Sequence, residues 1–304
     1  MSPEPAAKKY KVTGDEKMEW KLTFDQTQGL RTLVEVVGNI LTRINFRLTY
    51  DSKKDMHFLC IDSIDPQHVC MIQARLVCEK TFIESTDLDF CVDSSIFNLI
   101  LKSIPSHYSL DMVKTKDSAD IHLSAYETLS NSHYTSFEMP TLVDDSETMQ
   151  LFDMSYKYTI EIDLGTLRQI VKMSMSLRAT DLTFSVKQNE EASDILRTTF
   201  TVGSYGDAKQ EHHFHSATMT DKEISEGYVI RAATDSSTPE SKSTNMKLVY
   251  RDAFSAQYLN FFLKNMERQI ITMKLSPEKP LIVHYPLGAD KSYICFVLAP
   301  KTEG

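Results

Sequence analysis

The sequence predicts an α+β fold made of two similar halves, each combining strands with two helices. Four stretches place apolar residues at helical spacing, near residues 30–41, 93–105, 164–177 and 253–264. Runs that alternate apolar and polar residues, as half-covered strands do, flank them. The order helix then hairpin closes the first half at 93–126 and the second at 253–298, with an acidic stretch between. Identity between the halves is too low to prove a repeat, so this expectation rests on the order of elements.

Residues 1–17 mix Pro, Lys, Glu and Gly with few large apolar groups, the composition of a disordered tail. Met18, Trp20, Leu22 and Phe24 then alternate with polar residues as a strand. The first helix has Leu30, Leu33, Val34, Val37, Ile40 and Leu41 on its apolar side, opposite Arg31, Glu35 and Gly38. Phe46–Tyr50 and Met56–Ile61 read as strands, followed by a loop and strand over Ile64–Gln73. In the second helix Asp93, Ser94 and Ser95 are N-cap residues and Pro105 is a stop. Ile96, Phe97, Ile100, Leu101 and Ile104 form its apolar side, Ser95, Asn98 and Lys102 its polar side. Leu110–Lys114 and Ile121–Tyr126 form a hairpin. The stretch 141–155 is acidic, yet it carries Met149, Leu151 and Phe152, apolar groups that a bare linker has little reason to display.

The second half opens on a strand, Tyr158–Ile162, and a helix from Leu164 whose Leu167, Ile170, Val171 and Ser174 face the core. Arg168 and Lys172 lie four apart on its other side. Leu182–Val186, Phe200–Val202, Gln210–Ser216, Tyr228–Ala232 and Lys247–Tyr250 read as strands, with polar loops at 188–197 and 235–243. In the fourth helix, over 253–264, Phe254, Tyr258, Phe261 and Phe262 share one side and Gln257, Asn260 and Lys264 another. Leu281–Tyr285 and Tyr293–Leu298 form the closing hairpin around Pro286–Asp290.

Several words of this sequence resemble the proliferating cell nuclear antigen family of sliding clamps. "YLNFF", "KPLIVHY" and "LAPK" near the end, "LRTLVEVVGNIL" in the first helix and the loop from Ile64 to Gln73 carry the likeness, in order, over about residues 18–301. The resemblance implies clamp domains at 18–140 and 156–304, joined by an interdomain connector at 141–155. Each would have its sheet outside and its two helices inside, and three chains would close head to tail into a ring. Ile121–Tyr126 and Gln210–Ser216 would be the edge strands that pair between subunits.

The function implied is that of a DNA polymerase processivity factor that encircles double-stranded DNA without sequence preference. Arg31, Lys102, Arg168, Lys172 and Lys264 would face the DNA. Thr32 and Gly38 depart from the family's basic pattern on the first helix. A pocket for the interacting peptides of DNA polymerase and other replication and repair proteins would be built from Ile64, His68, Val69, Met71, Met149, Leu151, Phe152, Pro280, Val297, Leu298, Ala299 and Pro300. Phe152 stands where the family commonly has Pro. A separate clamp loader would place the ring on DNA, in the nucleus or in a viral replication compartment. Related readings are a subunit of a heterotrimeric checkpoint clamp and a ring-less viral processivity factor.

Composition sets the limits. The 304 residues suffice for two cores, and no apolar run nears the ~20 residues of a membrane helix. The N-terminus does not read as a signal peptide, so an intracellular chain with no membrane partner is expected. Cys60, Cys70, Cys78, Cys91 and Cys295 form no CxxC pair and are expected reduced. The net charge of −9 argues against gripping nucleic acid over the whole surface but leaves room for a local basic face. No phosphate-cradling, dinucleotide, nucleophile-elbow or HExxH motif is present, so neither an enzyme nor a cofactor is expected. The best cluster for a metal, Glu211-His212-His213-Phe214-His215, lacks a third ligand in fixed register and reads as a polar strand edge. The resemblance implies that this strand lies at a subunit interface, where its histidines would make association pH-sensitive.

Overall fold

The computed structural model describes residues 18–53, 55–78, 80–83, 88–127, 134–143, 155–189, 198–215, 228–232, 246–264, 266–267, 269–288 and 291–301. The chain divides into two compact units. Unit 1 holds Met1–Ser63, Gln73–Thr148 and Leu287–Tyr293, and unit 2 holds Ile64–Ile72, Met149–Pro286 and Ile294–Gly304.

In unit 1, β1 (Met18–Phe24), β5 (Lys80–Ile83), β7 (Ser109–Thr115), β8 (Asp120–Tyr126) and β9 (Tyr134–Pro140) form an antiparallel sheet in the order β5-β1-β7-β8-β9. β2 (Arg43–Asp51), β3 (Met56–Ile64), β4 (Cys70–Cys78, its first residues to Ile72 counted with unit 2) and β6 (Leu88–Asp93) lie in the order β4-β3-β2-β6. Two helices, α1 (Gln28–Val37) and α2 (Ser94–Ser103), pack on each other. Leu30, Leu33, Val34, Val36 and Val37 are the buried residues of α1. Asp93 starts α2 by accepting the Ser95 and Ile96 amides at 2.9 Å, as the sequence predicts. Stacked Trp20, Phe90 and Phe46, with Phe97 set edge-on against Phe46, tie β1, β6, β2 and α2 into one core.

Unit 2 repeats this arrangement element by element. β10 (Tyr158–Asp163), β14 (Tyr228–Ala232), β16 (Ile270–Leu275), β17 (Leu281–Pro286) and β18 (Tyr293–Leu298) lie in the order β14-β10-β16-β17-β18. β11 (Asp181–Asn189), β12 (Thr198–Tyr205), β13 (Lys209–His215) and β15 (Met246–Ser255) form a sheet in the order β13-β12-β11-β15. Helix α3 (Leu164–Ser176) follows β10, and α4 (Ala256–Leu263) follows β15 and packs on α3. Replacing each strand of unit 1 by its counterpart reproduces both orders, so the repeat that sequence identity could not prove is explicit in the topology. One detail differs: β5 runs antiparallel to β1, whereas β14 runs parallel to β10.

Three expectations need correction. Ile121–Tyr126 is not an edge strand, because β8 is paired on both sides, to β7 and to β9. Among the described residues β9 ends that sheet instead; Thr135, Phe137 and Met139 share its covered face, and of these only Met139 is buried. The fourth helix begins at Ala256, and Phe254 belongs to β15. Ile96, expected on the apolar side of α2, is instead 45% exposed, and the neighbouring Leu99 is 72% exposed. Among the described residues no helix is long and apolar enough to cross a membrane.

Candidate functional site

The loop between β3 and β4 is built around one buried carboxylate. Asp65 is 1% exposed. Its Oδ1 accepts the amides of Val69 at 2.7 Å and Cys70 at 2.5 Å, and its Oδ2 accepts the Gln67 amide at 3.0 Å. The fourth donor comes from helix α4, where the Tyr258 hydroxyl donates to Oδ2 at 2.6 Å. Donors to a carboxylate give strong hydrogen bonds, so this set fixes the loop against α4. The Tyr258 hydroxyl titrates well above its ordinary range because it is partly buried and faces the Asp65 charge. The loop turns at His68, whose φ of 57° lies in the left-handed region that histidine tolerates better than most residues. His68 is therefore held exposed at the loop tip.

The end of β18 meets this loop through the backbone: the Ala299 amide donates to the Val69 carbonyl at 3.0 Å. One step further the Lys301 amide donates to the Ala253 carbonyl of β15 at 2.8 Å, and the Lys301 ammonium pairs with Asp181. Ile64, Val69, Met71, Pro280 and Pro300 are half-buried and Ala299 is exposed. Val297 and Leu298 are buried, at 8% and 0%, so they support the surface from below rather than forming it. Met149, Leu151 and Phe152 lie outside the described residues. Just after them, the Ser155 carbonyl accepts from the Lys279 ammonium, beside Pro280, and the same ammonium lies 5.6 Å from the Tyr156 ring centre. Burial pushes the Tyr156 hydroxyl up to about 12. The sequence pattern does not single out Asp65, Tyr258 or Lys279. An Asp two residues before a free amide is an Asx-turn signal, and Asp65 carries it. Nothing in the spacing connects residue 258 to residue 65.

The five basic helix residues are not equivalent. In unit 1, Arg31 is half-buried on α1, and the Lys102 ammonium of α2 lies 2.8 Å from Glu35 Oε1 of α1. In unit 2, Arg168 donates from Nε to the Leu263 carbonyl at 2.8 Å and from Nη2 to the Met266 carbonyl at 2.6 Å. It closes the C-terminal end of α4, a place where cations are favourable. Lys172 and Lys264 are exposed and form no ion pair among the described residues.

On β13, which among the described residues ends its sheet, His213 Nδ1 is 3.0 Å from Thr201 Oγ1 and His213 Nε2 is 3.8 Å from Glu211, which also pairs with Lys209 at 2.9 Å. His212 meets Gln210 and titrates below the ordinary histidine range through burial and the neighbouring His213. The His215 side chain lies outside the described set. Among the described residues no three His, Cys, Asp or Glu side chains form a group suited to a metal ion. All five cysteines are buried and free, and burial raises the Cys295 thiol to about 11.

No known family model matches the sequence. The structure is similar to the PCNA of Thermococcus kodakaraensis, with a TM-score of 0.68 at 16% identity over 93% of this chain and 100% of that one. It is similar also to the proliferating cellular nuclear antigen of Entamoeba histolytica, with a TM-score of 0.70 at 13% identity over 94% of this chain and 100% of that one. The chain thus has the fold of the proliferating cell nuclear antigens, carried by a sequence far diverged from both.

Proposed function

We propose that the chain is a non-enzymatic sliding clamp that closes head to tail into a homotrimer around duplex DNA and tethers replication and repair proteins. One observation carries the reading. Within unit 2, β18 lies beside the start of β4. The counterparts of these two strands in the repeat are β9 and β13, and among the described residues each of those ends its sheet. Two copies joined through β9 of one and β13 of the next would repeat a pairing the chain already makes, and would remove both free edges. This replaces Ile121–Tyr126 by Tyr134–Pro140 as the strand offered to the neighbouring subunit.

The partner site is the loop held by Asp65, together with Pro280 and the end of β18, completed by Met149, Leu151 and Phe152. An aromatic anchor would dock on this apolar patch while the exposed backbone near Ala299 pairs with the incoming peptide. Loading would fall to a separate ATP-driven loader. Light scattering on the purified protein tests the assembly: a mass three times the 34.7 kDa chain supports it, and a monomer at all concentrations refutes it. Leu151→Ala with Phe152→Ala should abolish binding of partner peptides and leave that mass unchanged.

A further inference from the structure

We infer that Glu35 is a positioning residue that holds Lys102 off duplex DNA. The inference rests on the sliding-clamp reading, in which α1 and α2 face the duplex. The Glu35 side chain is only 18% exposed, whereas that of Lys102 is 43% exposed, and 2.8 Å separates carboxylate from ammonium. A mostly covered carboxylate beside a flexible lysine gains more from the pair than two open surface charges do. Moving Lys102 to a phosphate would strip Glu35 of this cation. Binding to DNA is driven by release of counterions as phosphates are neutralised, and a neutral pair releases almost none. Lys172 differs on each count, being exposed and without an ion pair among the described residues. Two lysines that look alike in sequence, each on a polar helix side, thus contribute unequally.

The device suits a protein that must slide. Each firmly held phosphate adds a barrier to movement, and an acid on the neighbouring helix removes one such barrier without altering the fold.

The test is the salt dependence of binding to a labelled linear duplex of arbitrary sequence, followed by fluorescence anisotropy for wild type, K172Q, K102Q, E35Q and E35Q/K102Q. K172Q should reduce the slope of log K against log salt by about 0.9 for each phosphate that Lys172 neutralises in the wild type. K102Q should leave it unchanged. E35Q should steepen it by about 0.9 for each chain whose Lys102 reaches a phosphate, roughly a threefold larger loss of affinity for a fourfold rise in salt. The double variant should return to the wild-type slope. If K102Q costs as much as K172Q, or if the gain of E35Q survives in the double variant, the inference is overturned. Unchanged slopes in every variant, K172Q included, would overturn the clamp reading and this inference with it. Circular dichroism melts and light scattering of E35Q establish that fold and assembly persist, and K102Q alone decides the question if they do not.

Discussion

Replacing Asp65 by Asn changes one oxygen to an amino group at the centre of the 65–70 loop, with almost no change in volume. The carboxylate takes four donors, two on each oxygen. The single oxygen of Asn can keep the Val69 and Cys70 amides, but its amino group then faces the Gln67 amide and the Tyr258 hydroxyl. The hydroxyl can rotate and accept; the amide cannot. Bonds worth about 1.5–3 kcal/mol each when charged fall to about 0.5–1.5, and one donor is left unmet at a cost of about 1–3 kcal/mol. Because Asn carries no charge to desolvate, part of this is offset, and a net loss of about 3 kcal/mol in the stability of unit 2 is expected. Tyr258→Phe removes one bond and leaves the carboxylate its three amides, so about 1.5–2 kcal/mol is expected there. Because both substitutions break the same bond, the double variant should lose less than their sum. Urea unfolding measures these differences. Titration with a labelled partner peptide should show at least a tenfold weakening for Asp65→Asn, about 1.4 kcal/mol, as the loop no longer holds His68 and Val69 in place. Asp65→Asn within about 0.5 kcal/mol of wild type, with unchanged peptide affinity, would refute the idea that this carboxylate builds the site.

Three further outcomes are expected. Gly206 lies where an added Cβ would fall onto the Leu177 carbonyl oxygen and within 2.7 Å of the Ala179 nitrogen. Both are backbone atoms, so Gly206→Ala should cost about 1–3 kcal/mol and lower the melting temperature. Arg168→Gln should destabilise by about 2 kcal/mol through loss of its bonds to the Leu263 and Met266 carbonyls, while Lys172→Gln stays within about 0.5; equal melts would contradict the anchoring role of Arg168. His284 titrates below the ordinary histidine range because it is half-buried and near Lys274. A depressed folded value means the unfolded chain binds the proton first, so stability is full above about pH 6.5 and is lost as pH falls through the folded value. His284→Gln should flatten the drop in urea midpoint between about pH 7.5 and 5, with His212 supplying a remaining slope of the same sign.

The sequence is most legible where one face of an element is buried and the other is wet. The helix cap at Asp93, the buried stripe Leu167, Ile170, Val171 and Ser174, and the closing hairpin all stand where the sequence pattern puts them. β9 alternates too, with Thr135, Phe137 and Met139 less exposed than Ser136, Glu138 and Pro140, but only Met139 is buried, so its pattern is short and weak. Phe254 reads as helical because β15 runs straight into α4, and aromatic residues at 254, 258 and 262 fit a helical stripe as well as a strand end. The 65–70 loop is legible in the sequence as a loop before a strand, but the way it is built is not. The bond from Tyr258 to Asp65 spans 193 positions, and no local pattern records it. Sequence position misleads for charges as well: Arg168 and Lys172 share one helix side, yet only Arg168 reaches back to carbonyls of its own unit.

The central claim is that the protein encircles DNA, and topology tests it without a loader. The protein is threaded onto a linear duplex blocked at one end, the second end is then blocked, and the complex is washed in salt high enough to screen the phosphates. A clamp should remain on the doubly blocked duplex and leave at once when a restriction cut opens an end. Equal loss from open and blocked duplexes would show that only surface attraction holds the protein, and would contradict the account.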